Sequence, residues 1–419
     1  MNHFQFKDGI LHCEETPVSD IARAVGTPFY LYSRATLERH FKAFDQSFND
    51  AAHLTCFAVK ACSNIAVLNL FARLGGGADI VSGGELFRAL KAGIPANKII
   101  YSGVGKTEAE LRAGLSAGIL MFNVESAQEL IRLQRVAAAM NVTATIAFRV
   151  NPDVDPKTHA YISTGLAKNK FGIPIQEAAA LYQQAAAMEH IAIKGISCHI
   201  GSQLTLISPF IESLIKVKAF VKQLAESGIS IDYIDLGGGV GITYNGEQPP
   251  HPEEYARAIM AELGDLQATL IFEPGRVIVG NAGILVTEVQ YTKSNRGGVS
   301  EKKFVIVDAA MNDLTRPSLY DAFHQIEPVV EQGAVLEQVD IVGPICETGD
   351  FLARDRALPR VQQGDLLAVM SAGAYGFTMS SNYNSRPRVA EVLVDGTSYT
   401  VIRERETLES LINGEHIPE

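Results

Sequence analysis

Short apolar runs recur along this chain at a near-constant interval, and that rhythm limits the folds open to it. They begin near Leu54, Gly77, Lys98, Leu120 and Thr143, about 21–23 residues apart, the length of one strand–helix unit. Helical patterns fill the gaps at Asn64–Leu74, Ser82–Ala92, Thr107–Ala117 and Ser126–Met140. Three of them open on the S/T-x-x-E spacing of a capping box: Ser82/Glu85, Thr107/Glu110 and Ser126/Glu129. Further apolar runs follow at Ile193–Ile200, Ile231–Leu236 and Thr269–Phe272, separated by amphipathic segments at Glu177–Glu189, Pro209–Glu226 and Glu253–Leu263. The total is eight strands, each but the last followed by a helical pattern. Eight is the number that closes a (β/α)8 barrel, although an open doubly wound sheet shows the same alternation.

After Arg276 the helical patterns fade. Short strands recur at Ile284–Tyr291, Lys303–Asp308, Gln338–Val342, Leu366–Met370, Val389–Val394 and Tyr399–Arg403, punctuated by Gly364-Asp365 and Asp395-Gly396. The first 32 residues have the same texture: Phe4–Phe6 and Ile10–His12 flank the hairpin signal Asp8-Gly9, and Phe29–Tyr32 follows. The predicted fold is therefore α/β plus all-β. N-terminal strands over 1–32 join a C-terminal β-domain over 277–419, a sandwich or barrel-like sheet, with a (β/α)8 barrel over 33–276 inserted between them. Asn151–Gly172 is long for a connection inside a barrel and is expected to be functional, with Tyr161, Lys168 and Lys170 able to close over a charged substrate.

Composition narrows the partners. The 36 basic residues stand against 47 acidic ones, a net charge of −11, which argues against general affinity for nucleic acid or an anionic membrane. No run approaches the roughly 20 apolar residues of a membrane span, and Met1–Glu15 carries no apolar core of a signal peptide. The cysteines, Cys13, Cys56, Cys62, Cys198 and Cys346, are odd in number and form no CxxC pair. That argues against a disulfide framework or a structural metal site and for a reducing cytoplasm.

In a barrel, chemistry gathers where strands end. The eight ends here carry Lys60; Asp79 and Ser82-Gly83-Gly84; Ser102-Gly103; Asn123 and Glu125; Arg149 and Asn151; His199–Ser202; Gly237-Gly238-Gly239; and Glu273–Arg276. Lys60 follows Phe57-Ala58-Val59 directly. It is either a solvated charge at the sheet edge or a desolvated amine suited to Schiff-base chemistry. The glycine run is either a tight turn or half of a phosphate cradle, since the loops after strands seven and eight of barrels frequently bind phosphate. Gly275-Arg276 supplies the other half. A lysine on strand one with such a cradle points to pyridoxal 5'-phosphate across the barrel mouth. Glu273 would then keep the pyridine nitrogen protonated and the ring a strong electron sink, as decarboxylation needs. Its alternative is an ion pair with Arg276 or another barrel arginine. His199 either stacks on the cofactor ring or is a hydrogen-bonded core histidine.

Taken in order, Phe57–Lys60, His199–Ser202, Gly237–Gly239, Glu273–Arg276, Arg316-Pro317-x-x-Tyr320, Cys346-Glu347-Thr348-x-Asp350 and Ala372–Gly376 resemble the diaminopimelate decarboxylases, of the alanine-racemase-like fold type of pyridoxal phosphate enzymes. The resemblance runs from about Thr27 to Arg388. It implies that Lys60 holds the cofactor, that Gly239, Gly275 and Tyr375 bind its phosphate, that Ser202, Gly238 and Arg276 also contact the cofactor, that Glu273 meets the pyridinium and that His199 faces the ring. Arg276 and Arg316, with Tyr320, would hold the distal carboxylate of a small amino-acid substrate, and Glu347 its distal ammonium. Tyr375 would touch substrate as well. Cys346 would be the proton donor, reaching the active site of the other subunit of a homodimer. The sequence departs from the family at Ala61-Cys62, where Ala-Asn is usual, at Thr348 and at Phe323. None of these removes a named functional group.

The implied reaction takes meso-2,6-diaminopimelate to L-lysine and CO2. A decarboxylase of ornithine, arginine or carboxynorspermidine on the same fold is disfavoured by Arg316, which would face a distal cation. A racemase is disfavoured by Glu273. A non-catalytic pyridoxal phosphate carrier would have no use for Arg316, Cys346 and Glu347.

Overall fold

The eight apolar runs pair into one closed parallel ring. In this computed structural model of the 419-residue chain, which describes residues 2–155, 169–297, 300–333 and 335–419, the ring strands are His53–Ala58, Gly77–Ile80, Ile99–Tyr101, Met121–Val124, Ala144–Asn151, Ile191–Ser197, Tyr233–Asp235 and Thr269–Phe272. Each pairs in parallel with its neighbour, and Thr269–Phe272 returns to His53–Ala58 with Ile271 opposite Leu54. Closure explains why most of these strands are apolar along their whole length: helices cover one face and the barrel interior the other. Cys56, Ile100, Met121, Ala147 and Ile271 pack together as one buried cluster.

The last strand is followed only by the short helix Arg276–Val279. Outside it, aromatic residues from the helix Arg34–Gln46, which precedes the first strand, take the vacant place. Phe41 stacks on Phe71 at 5.3 Å between ring centroids, and Phe44 meets Phe272 edge-on at 5.8 Å.

The three capping signals are used in two ways. Ser82, Thr107 and Ser126 each accept the N–H of the glutamate three residues on. Only Thr107/Glu110 is reciprocal. Glu85 and Glu129 instead accept the N–H of Val81 and Glu125, one residue further back. Their carboxylates therefore tie the incoming strand end to the helix rather than closing the cap itself.

The chain divides into this barrel unit, His40–Thr243 with Glu247–Val277, and a β-rich unit made of the chain up to Arg39, Tyr244–Gly246 and Ile278–Glu419. In the β-rich unit, Phe29–Ser33 lies inside the large sheet, antiparallel to Gly283–Gly297 and parallel to Ala390–Asp395. The N-terminal hairpin forms as the Asp-Gly signal predicts, Lys7 opposite Ile10, with φ of 50° at Asp8 and 75° at Gly9. It does not enter the large sheet. It makes a small sheet with Thr16–Pro17, bridged by Ile10 to Val330, and Phe4, Leu11 and Cys13 share a core with Leu31, Ile284 and Val392. Besides the two-residue strands Thr16–Pro17 and Ile173–Pro174, two strands after Arg276 escape sequence reading. Phe351–Pro359 carries Arg354-Asp355-Arg356 in its middle, and Ile326–Pro328 is too short to show alternation. Among the described residues no helix is long and apolar enough to cross a membrane.

Candidate active site

The C-terminal ends of the barrel strands carry a buried acid cluster with one lysine at its edge. Lys60 stands on a single 3-10 turn, Val59–Ala61, that ends the first strand. Its Nζ donates to Asp79 Oδ2 at 2.6 Å. Asp79 is fully buried in the second strand. Across the barrel, Asp235 ends the seventh strand and accepts from Asn123 Nδ2 at 2.8 Å and from the Gly237 N–H at 2.9 Å. Glu273, 6% exposed, hydrogen-bonds to Asp235. Burial, then the charges of Asp235 and Asp79, push the Glu273 carboxyl well above the usual carboxylate range, while Lys60 works against them. Burial raises Asp235 too. Burial and their mutual proximity thus disfavour a second negative charge on this pair.

His199 is neutral. Burial, with Arg149 and Lys60 nearby, holds it well below the usual imidazole range. Its Nδ1 accepts the Gly238 N–H at 3.1 Å, which places the ring proton on Nε2.

The glycine loop is required by packing. Gly237 and Gly239 have φ of 66° and 116°. A Cβ on Gly237 would stand 2.6 Å from His199 Nδ1, one on Gly238 2.2 Å from the Glu273 carbonyl, and one on Gly239 2.6 Å from the Gly201 carbonyl. Three strand-end loops thus meet backbone to backbone where any side chain would part them. Gly275 is similarly close, its Cβ position 3.0 Å from Ala61 Cβ. Beside this loop, Arg276 donates to Ser202 Oγ at 3.1 Å.

Two other basic residues at the strand ends have structural partners. Lys106 donates to the carbonyls of Gly103 and Asn123 and to Glu129, each within 2.8 Å. Arg149 pairs with Glu125 at 3.2 Å and lies over the Phe171 ring at 4.8 Å. The long connection after the fifth strand returns beside it, with Ile173 opposite Val150 and the Gly172 N–H on Glu125. Tyr161 and Lys168, expected to form a lid there, lie outside the described residues; Lys170 sits over Phe171 at 5.1 Å.

The remaining expected residues fall in the β-rich unit, in two places. Arg316 and Tyr320 begin and end the helix Arg316–Tyr320. Arg316 is buried; it donates to His324 Nε2 at 2.9 Å and lies over the Tyr244 ring at 4.8 Å. Cys346 and Glu347 are exposed on a loop, where the Cys346 N–H donates to Asn384 Oδ1 and Glu347 accepts from the Tyr383 hydroxyl, both at 2.8 Å. Tyr375 is half-buried with a left-handed φ of 55°.

Sequence reading gave no role to Asp79, Asn123, His324 or Tyr244 and passed over Asp235. The available signal for the acids was a charge inside an otherwise apolar strand. For His324 and Tyr244 there was none, because their shared partner is set by tertiary packing.

These groups fit a ligand with a carbonyl carbon, a phosphate and a basic ring nitrogen. Lys60 offers an amine, the loops beside Ser202 and Arg276 offer close backbone N–H approach with a hydroxyl and a guanidinium, and Glu273 beside Asp235 offers a buried acid. Residues 34–280 match the family described as pyridoxal-dependent decarboxylase, pyridoxal binding domain. A diaminopimelate decarboxylase of Vibrio cholerae is 54% identical over 415 residues, covering 98% of each chain. One from Pseudomonas aeruginosa is 53% identical over 417 residues, covering 100% of this chain and 99% of the relative. The solved diaminopimelate decarboxylase of Helicobacter pylori, complexed with L-lysine, is similar with a TM-score of 0.91 at 42% identity, over 94% of this chain and 98% of that one.

Proposed function

Since the chain belongs to the diaminopimelate decarboxylases, we propose how its own residues divide the work of that reaction. The enzyme removes CO2 from meso-2,6-diaminopimelate and leaves L-lysine, the last step of lysine biosynthesis, with pyridoxal 5'-phosphate as cofactor. The full-length identity to diaminopimelate decarboxylases carries this reading. When bound, the cofactor supplies a sink for the electron pair that the departing carboxylate leaves at Cα.

Lys60 would hold the cofactor covalently through Nζ, with Asp79 fixing where that amine stands. Glu273 would hold the ring nitrogen, and a carboxyl pushed up by burial and by Asp235 suits a basic nitrogen. Neutral His199, pinned by the Gly238 N–H, would face the ring without adding charge. Ser202, Gly238, Gly239 and Gly275 would receive the phosphate with Arg276, and Tyr375 would contribute its hydroxyl.

Substrate recognition follows charge. Arg316 with Tyr320, and Arg276, would receive the distal carboxylate, because a guanidinium fork matches a carboxylate in shape and sign. Glu347 would accept from the distal ammonium. Cys346 would return a proton to Cα. Its exposure in the single chain supports a homodimer in which the partner subunit covers it. None of the five cysteines is in a disulfide and four are buried, which supports a cytoplasmic location.

The test is to load the purified protein with pyridoxal phosphate, supply meso-diaminopimelate, ornithine, arginine or carboxynorspermidine, and follow CO2 and the amine product. CO2 with L-lysine from diaminopimelate is expected. CO2 from ornithine or arginine but none from diaminopimelate would overturn the reading.

A further inference from the structure

Arg316 is held from two sides by groups to which no role is yet attached. Its Nη1 donates to His324 Nε2 at 2.9 Å, and His324 is fully buried. The other ring nitrogen, Nδ1, lies 2.8 Å from the Met370 carbonyl. A carbonyl can only accept and a guanidinium can only donate. The proton is therefore on Nδ1, and Nε2 presents its lone pair to Arg316. The Met370 backbone is itself anchored, its N–H donating to the Gln325 carbonyl at 2.8 Å. Tyr244 completes the clamp, with its ring face under the guanidinium at 4.8 Å and its ring T-shaped against His324 at 5.3 Å between centroids.

We infer that His324 is a positioning residue for substrate specificity: through its hydrogen bond it aims the Arg316 guanidinium, and so sets the preference for an amino acid with a distal carboxylate. The inference rests on the reading of Arg316 as the distal-carboxylate site. The chemistry of the partner matters. A carboxylate at position 324 would orient Arg316 equally well, but it would cancel the charge and compete for the fork. An imidazole in its neutral tautomer takes one N–H, leaves the positive charge intact, and adds no second cation. The face of Tyr244 likewise fixes the guanidinium plane without neutralising it.

The test compares meso-diaminopimelate with L-lysine, which lacks the distal carboxylate, as ligands of the pyridoxal phosphate-loaded enzyme. Because diaminopimelate is turned over, its affinity is read as KM from initial rates of CO2 release and that of L-lysine as an inhibition constant in the same assay, with thermal unfolding as the folding control. His324→Leu is expected to weaken diaminopimelate about ten- to a hundredfold, the range for losing a hydrogen bond to a charged group, and to leave lysine affinity unchanged. His324→Gln, which can still offer an acceptor, is expected to recover part of the loss. On an Arg316→Met background, His324→Leu is expected to have no further effect. An equal loss for both ligands, or the same loss on the Arg316→Met background, would make His324 merely structural and overturn the inference. If Arg316→Met alone leaves the diaminopimelate-to-lysine ratio unchanged, the reading of Arg316 fails, and the inference fails with it for that separate reason.

Discussion

Lys60 Nζ stands 2.6 Å from Asp79 Oδ2 and ties the ends of the first two barrel strands by an ion pair whose acid is fully buried. The lysine side chain keeps 34% exposure, so the pair lies at the boundary between the packed barrel and its mouth. Asp79 belongs to the same group of buried acids as Asp235 and Glu273. Lys60 lowers the charge cost of that group and is held in place by it. A buried acid without a cation is expensive, and a proton or a cationic ring nitrogen relieves the cost.

Lys60→Ala is expected to fold, because the change lies at the strand mouth, and to lose both the visible absorbance of covalently held cofactor and nearly all turnover. Lys106 provides the contrast. With all three acceptors in the barrel wall, Lys106→Met is expected to cost about 3–5 kcal/mol in urea unfolding, since Glu129 loses its buried partner. Normal absorbance in Lys60→Ala would move the covalent link to another lysine.

Gly238→Ala places a methyl group where the Glu273 carbonyl already stands, 2.2 Å away. The Glu273 backbone has little room to retreat, because its N–H is bonded to the Gly237 carbonyl at 2.8 Å. A loss of about 1–3 kcal/mol in stability is expected, the range for overpacking, together with weaker cofactor binding. Thermal melts and cofactor titration measure the two separately. Unchanged values in both would mean that the three loops yield more readily than their hydrogen bonds indicate.

Asp313 gives a pH dependence of known sign. It is 1% exposed and accepts from the Ala310 N–H at 2.9 Å; burial pushes its carboxyl up to about 7. A raised folded value means that the native state binds the proton more tightly than the unfolded chain, whose value is about 3.9. Its contribution to stability is thus full below about pH 4 and is lost as the pH rises through about 7. Relative to Asp313→Asn, the natural protein should lose about 2–4 kcal/mol across that window in denaturant titrations. A flat difference between the two proteins from pH 4 to 8 would contradict it.

Mixing subunits tests the proposed shared site. Lys60→Ala and Cys346→Ala proteins should each be nearly inactive. In a two-fold dimer, exchange puts both defects in one site of each hybrid and none in the other. Random exchange makes half the dimers hybrid, so roughly a quarter of all sites should regain full activity. No recovery, with exchange verified by mass, would place Lys60 and Cys346 in the same chain's chemistry.

Much of the barrel was legible because its signals are local. Leu54, Gly77, Lys98, Leu120 and Thr143 fall within one residue of the strand starts His53, Gly77, Ile99, Met121 and Ala144. Apolar runs, S/T-x-x-E spacings and the Asp8-Gly9 turn are properties of a few consecutive residues. The polar strand ends were legible for the same reason, and they gave Lys60, His199, the glycine run and Glu273.

Closure decided the rest. The ring brings Asn123 to Asp235, 112 residues away in sequence, and sets Asp235 against Glu273. No local pattern encodes that pairing, so the raised Glu273 carboxyl could not be read from either strand. The glycines show the same division. In the sequence, Gly237-Gly238-Gly239 reads as a tight turn or as half of a phosphate cradle, while in the structure it first answers the approach of three backbones. His324 stands eight residues from Arg316, but their hydrogen bond also needs Met370 and Tyr244 from elsewhere in the chain. Sequence determined the periodic elements and the chemical types at their ends. Tertiary structure alone decided which charges face each other, because electrostatic coupling depends on distance in space and on burial, and both are set only when the chain closes on itself.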